Sequence, residues 1–187
     1  MKYYKYNVHD LSDTEYEKYL AMASEKRRAR IEKKSDADRR LSVCAEMMLR
    51  REIAAVYSVN EEDIIIENDP SGAPAVLGMD VFVSISHSHD YAVCAISERR
   101  VGIDIEKIRS IPTRVAERTL SPDESAYLSQ GAGDAQRRFY EIWTAKEAYA
   151  KMTGHGISLH NTPDTSKLSC VSHEYFDDYV IAIANEE

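Results

Sequence analysis

Two stretches of helical apolar period, each followed by short strand-like runs, constrain this chain most. In the first, Ala37, Leu41, Cys44, Ala45, Met48 and Ala55 recur at helical spacing behind a cap at Ser35 or Asp36, until Tyr57-Ser58-Val59-Asn60 ends the pattern. The second predicts a long helix from about Ala135 to Met152, stopped by Thr153-Gly154-His155-Gly156. Behind the first lie Asp63 to Glu67, the turn cluster Asn68-Asp69-Pro70-Ser71-Gly72, and strand candidates at Val81 to Ile85, Tyr91 to Ile96 and Val101 to Glu106. Behind the second, Leu168 to Tyr175 and Tyr179 to Ala184 can form a hairpin over Asp177-Asp178. Connections this short favour antiparallel pairing. The order helix-then-strands, met twice, predicts an α+β fold.

Shorter helices are marked by their starts. Ser12-Asp13-Thr14-Glu15 reads as a capping box, as does Ser121-Pro122-Asp123-Glu124 with proline at the first helical position. Ile111-Pro112 opens another short stretch, and Gly131-Ala132-Gly133 breaks the chain before the second long helix. An internal echo links Ile85-Ser86-His87 and Asp90-Tyr91-Ala92-Val93 with Val171-Ser172-His173 and Asp178-Tyr179-Val180-Ile181. A duplication would make two related parts with a cleft between them, a common place for a ligand.

A chain of 187 residues accommodates one domain or two small subdomains. It has no apolar run long enough to cross a bilayer, and Met1-Lys2-Tyr3-Tyr4-Lys5-Tyr6 lacks a signal-peptide h-region, so a cytoplasmic location is expected. Cys44, Cys94 and Cys170 are odd in number and sit in apolar patterns, which reads as reduced core residues. The formal net charge of -8 argues against a general nucleic-acid binder. Lys26, Arg27, Arg28, Arg30, Lys33, Lys34, Arg39, Arg40, Arg50 and Arg51 nevertheless make one basic segment. Such a segment suits a small polyanion or an acidic partner surface, or is simply a solvated helix face.

Gly102-Ile103-Asp104-Ile105-Glu106 sends two carboxylates to one face of a strand, with Cα atoms roughly 6.5–7 Å apart, and two isoleucines to the other. Adjacent acids repel unless a proton or a hard cation such as Mg2+ intervenes, though an exposed edge strand with incidental acids fits as well. On the long helix, Trp143, Glu147 and Lys151 follow at i+4 steps, with Lys146 beside Trp143. Alone, that is a surface ion pair next to a core tryptophan; joined to Asp104 and Glu106, Glu147 would be a third metal carboxylate and Lys151 a cation for phosphate. Ser86-His87 is expected where a strand gives way to a turn, where His87 can donate to phosphate. His89, His155, His160 and His173 show no ligand spacing.

Together, Val101-Gly102-Ile103-Asp104-Ile105-Glu106, the run Phe139-Tyr140 to Trp143 with Lys146-Glu147-Ala148 to Lys151, and Ile85-Ser86-His87-Ser88 resemble the motifs of phosphopantetheinyl transferases. The likeness runs from about residue 20 to about 160, in the family's order. The length resembles the surfactin-type group, which implies two pseudo-symmetric α+β halves in one chain, here 1–100 and 101–187, each a long helix on a small, mainly antiparallel sheet with the active site in the cleft between them. A two-half chain is expected to be monomeric.

The resemblance implies transfer of 4'-phosphopantetheine from coenzyme A to a serine of an apo acyl or peptidyl carrier protein, with release of 3',5'-ADP. It implies Mg2+ held by Asp104, Glu106 and Glu147 against the coenzyme A pyrophosphate, Glu147 as base, and Lys151 on the departing phosphate. Lys146, Ser86 and His87 would contact coenzyme A, and Lys26 and Arg39 match positions at the nucleotide's 3'-phosphate. Two departures stand out: Gly72-Ala73-Pro74 replaces Gly-Lys-Pro, and Ala29, with Arg28 or Arg30 nearby, stands where a lysine is common, so the grip on coenzyme A is expected to be lowered or redistributed. The sequence also stops soon after its last strand, but after all the motif residues. Metal-dependent phosphodiester cleavage is a rival reading, disfavoured by the acidic charge. A non-catalytic carrier-protein binder is another, disfavoured by the intact Asp104, Glu106, Glu147 and Lys151 set.

Overall fold

The computed structural model describes residues 1–130, 134–156 and 163–186; Gly131-Ala132-Gly133 and His160 lie outside them. The chain runs β1 (Lys2–Asn7), α1 (Asp13–Met22), α2 (Glu25–Ile31), α3 (Asp36–Tyr57), β2 (Ile65–Asn68), β3 (Pro74–Leu77), β4 (Phe82–Ser88), β5 (Tyr91–Ser97) and β6 (Val101–Lys107). It continues through α4 (Thr113–Thr119), α5 (Pro122–Leu128), α6 (Ala135–Thr153), β7 (Val171–Phe176) and β8 (Tyr179–Asn185). The sheets are antiparallel: β1-β5-β4, the small pair β2-β3, and β6-β8-β7.

Alternation along the strands builds four layers. Ala92, Cys94 and Ile96 of β5 pack with Leu41, Cys44, Met47 and Met48 of α3, while Val93 and Ala95 meet Ile103, Ile105, Ile181 and Ile183 of the other sheet. The even residues of β8, Val180, Ala182 and Ala184, join clusters with Phe139, Tyr140 and Ala148 of α6. The result is helix, sheet, sheet, helix. Both sheets bury one face on the other sheet and one on a long helix, which is why their central strands read as continuous apolar runs.

Local chemistry sets the boundaries. Ser12 and Glu15 close a capping box on α1, and Ser121 and Glu124 another on α5. Helix α3 starts on the Ser35 side chain, and α6 ends at Gly154 in the left-handed region, φ 73°. The turns His89-Asp90 and Asp177-Asp178 join β4 to β5 and β7 to β8, each with its first residue left-handed. Ser86-His87, expected at a strand end, instead lies inside β4 opposite Val93 and Ala92, because β4 runs on to Ser88. The strand β1, the helix α2 and the strand β3 have no counterpart among the elements that the local pattern predicts.

Two buried ion networks lock the helices. Glu46, fully buried in α3, accepts from Arg27 of α2 at 2.9 and 3.0 Å and from Arg50 at the same distances. Arg50 also donates to the carbonyls of Met22, Glu61 and Ile64. Beyond α5, Lys146 of α6 is 1% exposed and contacts Glu124 at 2.8 Å and the Pro163 carbonyl at 2.7 Å. Glu124 additionally accepts from the Ser121 and Thr165 amides at 2.7 and 2.8 Å. Burial pushes the Glu124 carboxyl up, but Lys146 and these amides outweigh it and hold it below the usual glutamate range.

Strand β6 lies so close to α6 that a Cβ added to Gly102 would sit 1.9 Å from the Ala148 carbonyl oxygen and 2.6 Å from the Met152 nitrogen. Neither backbone atom can give way without moving the helix. Gly102→Ala should therefore cost about 3 kcal/mol, the upper end of overpacking penalties, read as a lowered urea midpoint; a midpoint equal to that of the unmodified chain would show that the contact yields. A carboxyl whose folded pKa is depressed stabilises the fold above its unfolded value and loses that contribution as pH falls through the folded one. Stability should thus decline below about pH 4.3, and Glu124→Gln should flatten that acid limb while lowering stability near neutrality. Urea titrations across the acid range check this, and an unaltered limb in the variant would remove Glu124 from it.

Candidate active site

The even residues of β6 face α6, and the helix stripe meets them. Lys151 Nζ donates to Asp104 Oδ1 at 2.7 Å and to the Ile103 carbonyl at 3.1 Å. At the other end of the stripe Trp143 lies close enough to Glu106 to favour its charged form. Between them stands Glu147, close enough to Asp104 and Glu106 to feel both charges. Antiparallel packing of α6 on β6, permitted by the absent side chain at Gly102, makes the i+4 stripe and the i+2 acids coincide.

The second long element of the site is β4, which places Ser84, Ser86 and Ser88 on one face beside β6. Ser86 Oγ donates to Asp104 Oδ1 at 2.7 Å and Ser88 Oγ to Glu106 Oε2 at 2.9 Å. Asp104 is 5% exposed, and its Oδ2 is buried without a hydrogen-bond partner among the described residues. Glu106 and Glu147 both have raised pKa values, from burial first and then from the Asp104 charge; Lys151 partly offsets this at Glu147. These are acids crowded against one another with one oxygen left unserved.

As the side chains stand, no group of three or more His, Cys, Asp or Glu residues among the described ones is gathered tightly enough to hold a metal ion. The chemistry of the donors nevertheless fits a hard cation. The orphaned Asp104 Oδ2 and the mutual repulsion of three carboxylates call for positive charge, and Mg2+ is usually held by one or two carboxylates together with substrate phosphates rather than by a closed protein cage.

Beside the acids opens a cavity of about 680 Å³ whose wall includes Glu147, Lys151 and His87. Its far wall is cationic, with Arg27 and Arg30 of α2 and Lys34 beyond it, and the β2–β3 turn from Asn68 to Pro74 forms an edge. Burial, then the nearby Lys34 and Lys151 charges, lowers the His87 pKa, so the ring is neutral at pH 7 and able to donate one N–H. Arg27 is fixed by Glu46 on one side and by Asn68 Oδ1, at 3.0 Å, on the other.

Of the residues singled out in the sequence, Asp104, Glu106, Glu147, Lys151, Ser86 and His87 are brought together. Lys146 is not: its ammonium is taken up by Glu124 and the Pro163 carbonyl. Lys26 is exposed on α2, off the cavity wall, and Arg39 pairs with Asp36 at 2.8 Å and with the Lys34 carbonyl. Arg27, Arg30 and Lys34 belong to the basic segment, but the sequence does not single them out from its other cations as the wall residues. The signal was present in the i, i+3 spacing of Arg27 and Arg30, but a helix rich in exposed charge hides which face turns inward. The Ser-x-Ser-x-Ser alternation of β4 was likewise readable as one face of a strand.

The model of the 4'-phosphopantetheinyl transferase superfamily matches residues 100–184. The chain is 39% identical over 134 residues to the 4'-phosphopantetheinyl transferase psf-1 of Bacillus pumilus, covering 71% of this chain and 58% of that one. It is 34% identical over 139 residues to the 4'-phosphopantetheinyl transferase gsp of Aneurinibacillus migulanus, covering 74% and 58%. To the 4'-phosphopantetheinyl transferase Sfp of Bacillus subtilis strain 168 it is 32% identical over 154 residues, covering 80% and 68%. The chain thus spans less than two thirds of the first two relatives. With the acidic strand and the stripe of α6 lying inside the matched region, the chain belongs to the 4'-phosphopantetheinyl transferase superfamily, in the group of the Sfp-type chains.

Proposed function

We propose that this chain transfers the 4'-phosphopantetheine group from coenzyme A to a serine hydroxyl of an apo acyl or peptidyl carrier protein, releasing 3',5'-ADP. The observation that carries the reading is the buried, unpartnered Asp104 Oδ2, crowded by Glu106 and by Glu147, the last of which lines a cationic cavity. Acids that need a cation and a wall that attracts an anion are what a pyrophosphate and its metal require together.

Asp104, Glu106 and Glu147 would hold Mg2+, which when bound neutralises pyrophosphate charge and lets an oxygen nucleophile approach. The serine oxygen forms its bond to the β-phosphorus as the bond from that phosphorus to the 3',5'-ADP oxygen breaks. Glu147, or a water that it orients, accepts the serine proton, and its raised pKa suits a base. Lys151 balances charge on the departing phosphate from its place between Asp104 and the cavity. Arg27, Arg30 and Lys34 attract the nucleotide phosphates and His87 donates an N–H to one of them; Lys26 and Arg39 would act from the rim, and Lys146 through the position of α6.

The strand order first-last-middle in both three-stranded sheets, each with its long helix before the hairpin, supports reading 1–100 and 101–187 as two pseudo-symmetric halves around this cleft. The echo between β4-β5 and β7-β8, which extends to left-handed residues in both turns, supports it further.

Incubation of the chain with coenzyme A, Mg2+ and several apo carrier proteins, followed by weighing of each carrier, tests the reaction. A phosphopantetheine adduct is expected on at least one carrier, and unmodified carriers throughout would overturn the proposal. Glu147→Gln should lower kcat by about 10²- to 10⁴-fold with no fall in melting temperature, since the charge it removes is one that burial and Asp104 disfavour. A near-native rate in that variant would take Glu147 out of the chemistry.

A further inference from the structure

The serines of β4 do two different things along one strand. Ser84 Oγ accepts from the Ile103 amide at 3.1 Å, and Ser88 Oγ accepts from the Lys107 amide at 3.2 Å. Strands β4 and β6 therefore run side by side in the same direction, joined by hydroxyl-to-amide bonds where a backbone ladder would be expected. A serine hydroxyl has one proton and two lone pairs. At Ser88 the incoming amide occupies a lone pair, which leaves the proton for Glu106 Oε2 at 2.9 Å; His89 Nδ1, at 3.3 Å, is the more distant contact. At Ser86 the proton goes to Asp104 Oδ1, where Lys151 also donates, both at 2.7 Å. Two donors on one oxygen fix the carboxylate's rotation and leave the other oxygen, Oδ2, as the one on offer.

We propose that Ser86 and Ser88 are positioning residues of the acidic site, whose hydroxyls select which oxygens of Asp104 and Glu106 are presented to a divalent cation. The inference rests on the reading that these carboxylates hold such a cation. Partners of ligating carboxylates typically change metal affinity by 10- to 100-fold when removed. Ser84 provides the internal contrast: it makes the same kind of bond to β6 and, among the described residues, hydrogen-bonds to neither acid.

The test is calorimetric titration of Mn2+ into the full chain with coenzyme A present, accompanied by melting curves in EDTA. Ser86→Ala and Ser88→Ala should each weaken Mn2+ binding about 10-fold or more, and Ser86→Thr, which keeps the hydroxyl, should restore most of the loss. Ser84→Ala should lower the melting temperature but leave the affinity within about twofold. Equal affinity in Ser86→Ala and Ser88→Ala, against clear binding by the unmodified chain, would overturn the positioning role alone. So would an equal loss in Ser84→Ala, which would make the strand contact merely structural. An unmodified chain that takes up no Mn2+ would overturn both this inference and the cation reading beneath it.

Discussion

Strand β6 has no free side, and the rest of the molecule is arranged around that fact. One edge is laddered to β8 and the other is met by the serine hydroxyls of β4. One face adds Val101, Ile103 and Ile105 to the core between the sheets, while Gly102, Asp104 and Glu106 face α6. A strand enclosed in this way can carry acids only if each has a partner, because an unpaired buried charge is expensive. Ser86 and Lys151 serve Asp104, and Ser88 serves Glu106, so the packing of the fold and the electrostatics of the site are the same set of contacts.

Charge is distributed against the average. A chain with net charge -8 sets Arg27, Arg30, Lys34 and Lys151 around one cavity. Arg27 can stand there, almost fully buried, because Glu46 neutralises it from behind and Asn68 orients it from the side. Fixed in this way it gives up little further side-chain freedom when an anion arrives, unlike a lysine on a flexible stem. Ala73 puts no cation on the β2–β3 turn, and the guanidinium of Arg30 lies against that turn at Gly72.

Much of this was legible because it is local. The alternation of β6, the i+4 stripe of α6 and both capping boxes are short-range patterns, and each predicts its element and its face from neighbouring residues alone. What stayed hidden depends on distant partners. Lys146 reads as a free cation until Glu124, in another helix, is found against it. Arg27 reads as solvent-facing until Glu46 is placed behind it, and Lys2-Tyr3-Tyr4-Lys5-Tyr6 carries no strand signal until β5 supplies an edge. Ser86-His87-Ser88 looks like turn chemistry and so suggests that β4 ends at Ile85, whereas the hydroxyls are occupied by β6.

The pairing of β1 with β5 imposes an order in time. Lys2 lies opposite Ile96 and Asn7 opposite Tyr91, so β1 is synthesised long before the strand it must join. Closing so large a loop costs chain entropy before the pairing rewards it. Until β1 arrives, the same edge of β5 is open to any other extended segment, including one from a neighbouring chain. The two lysines of β1, set on a strand otherwise rich in tyrosine, give the waiting segment a charge that discourages it from pairing with copies of itself.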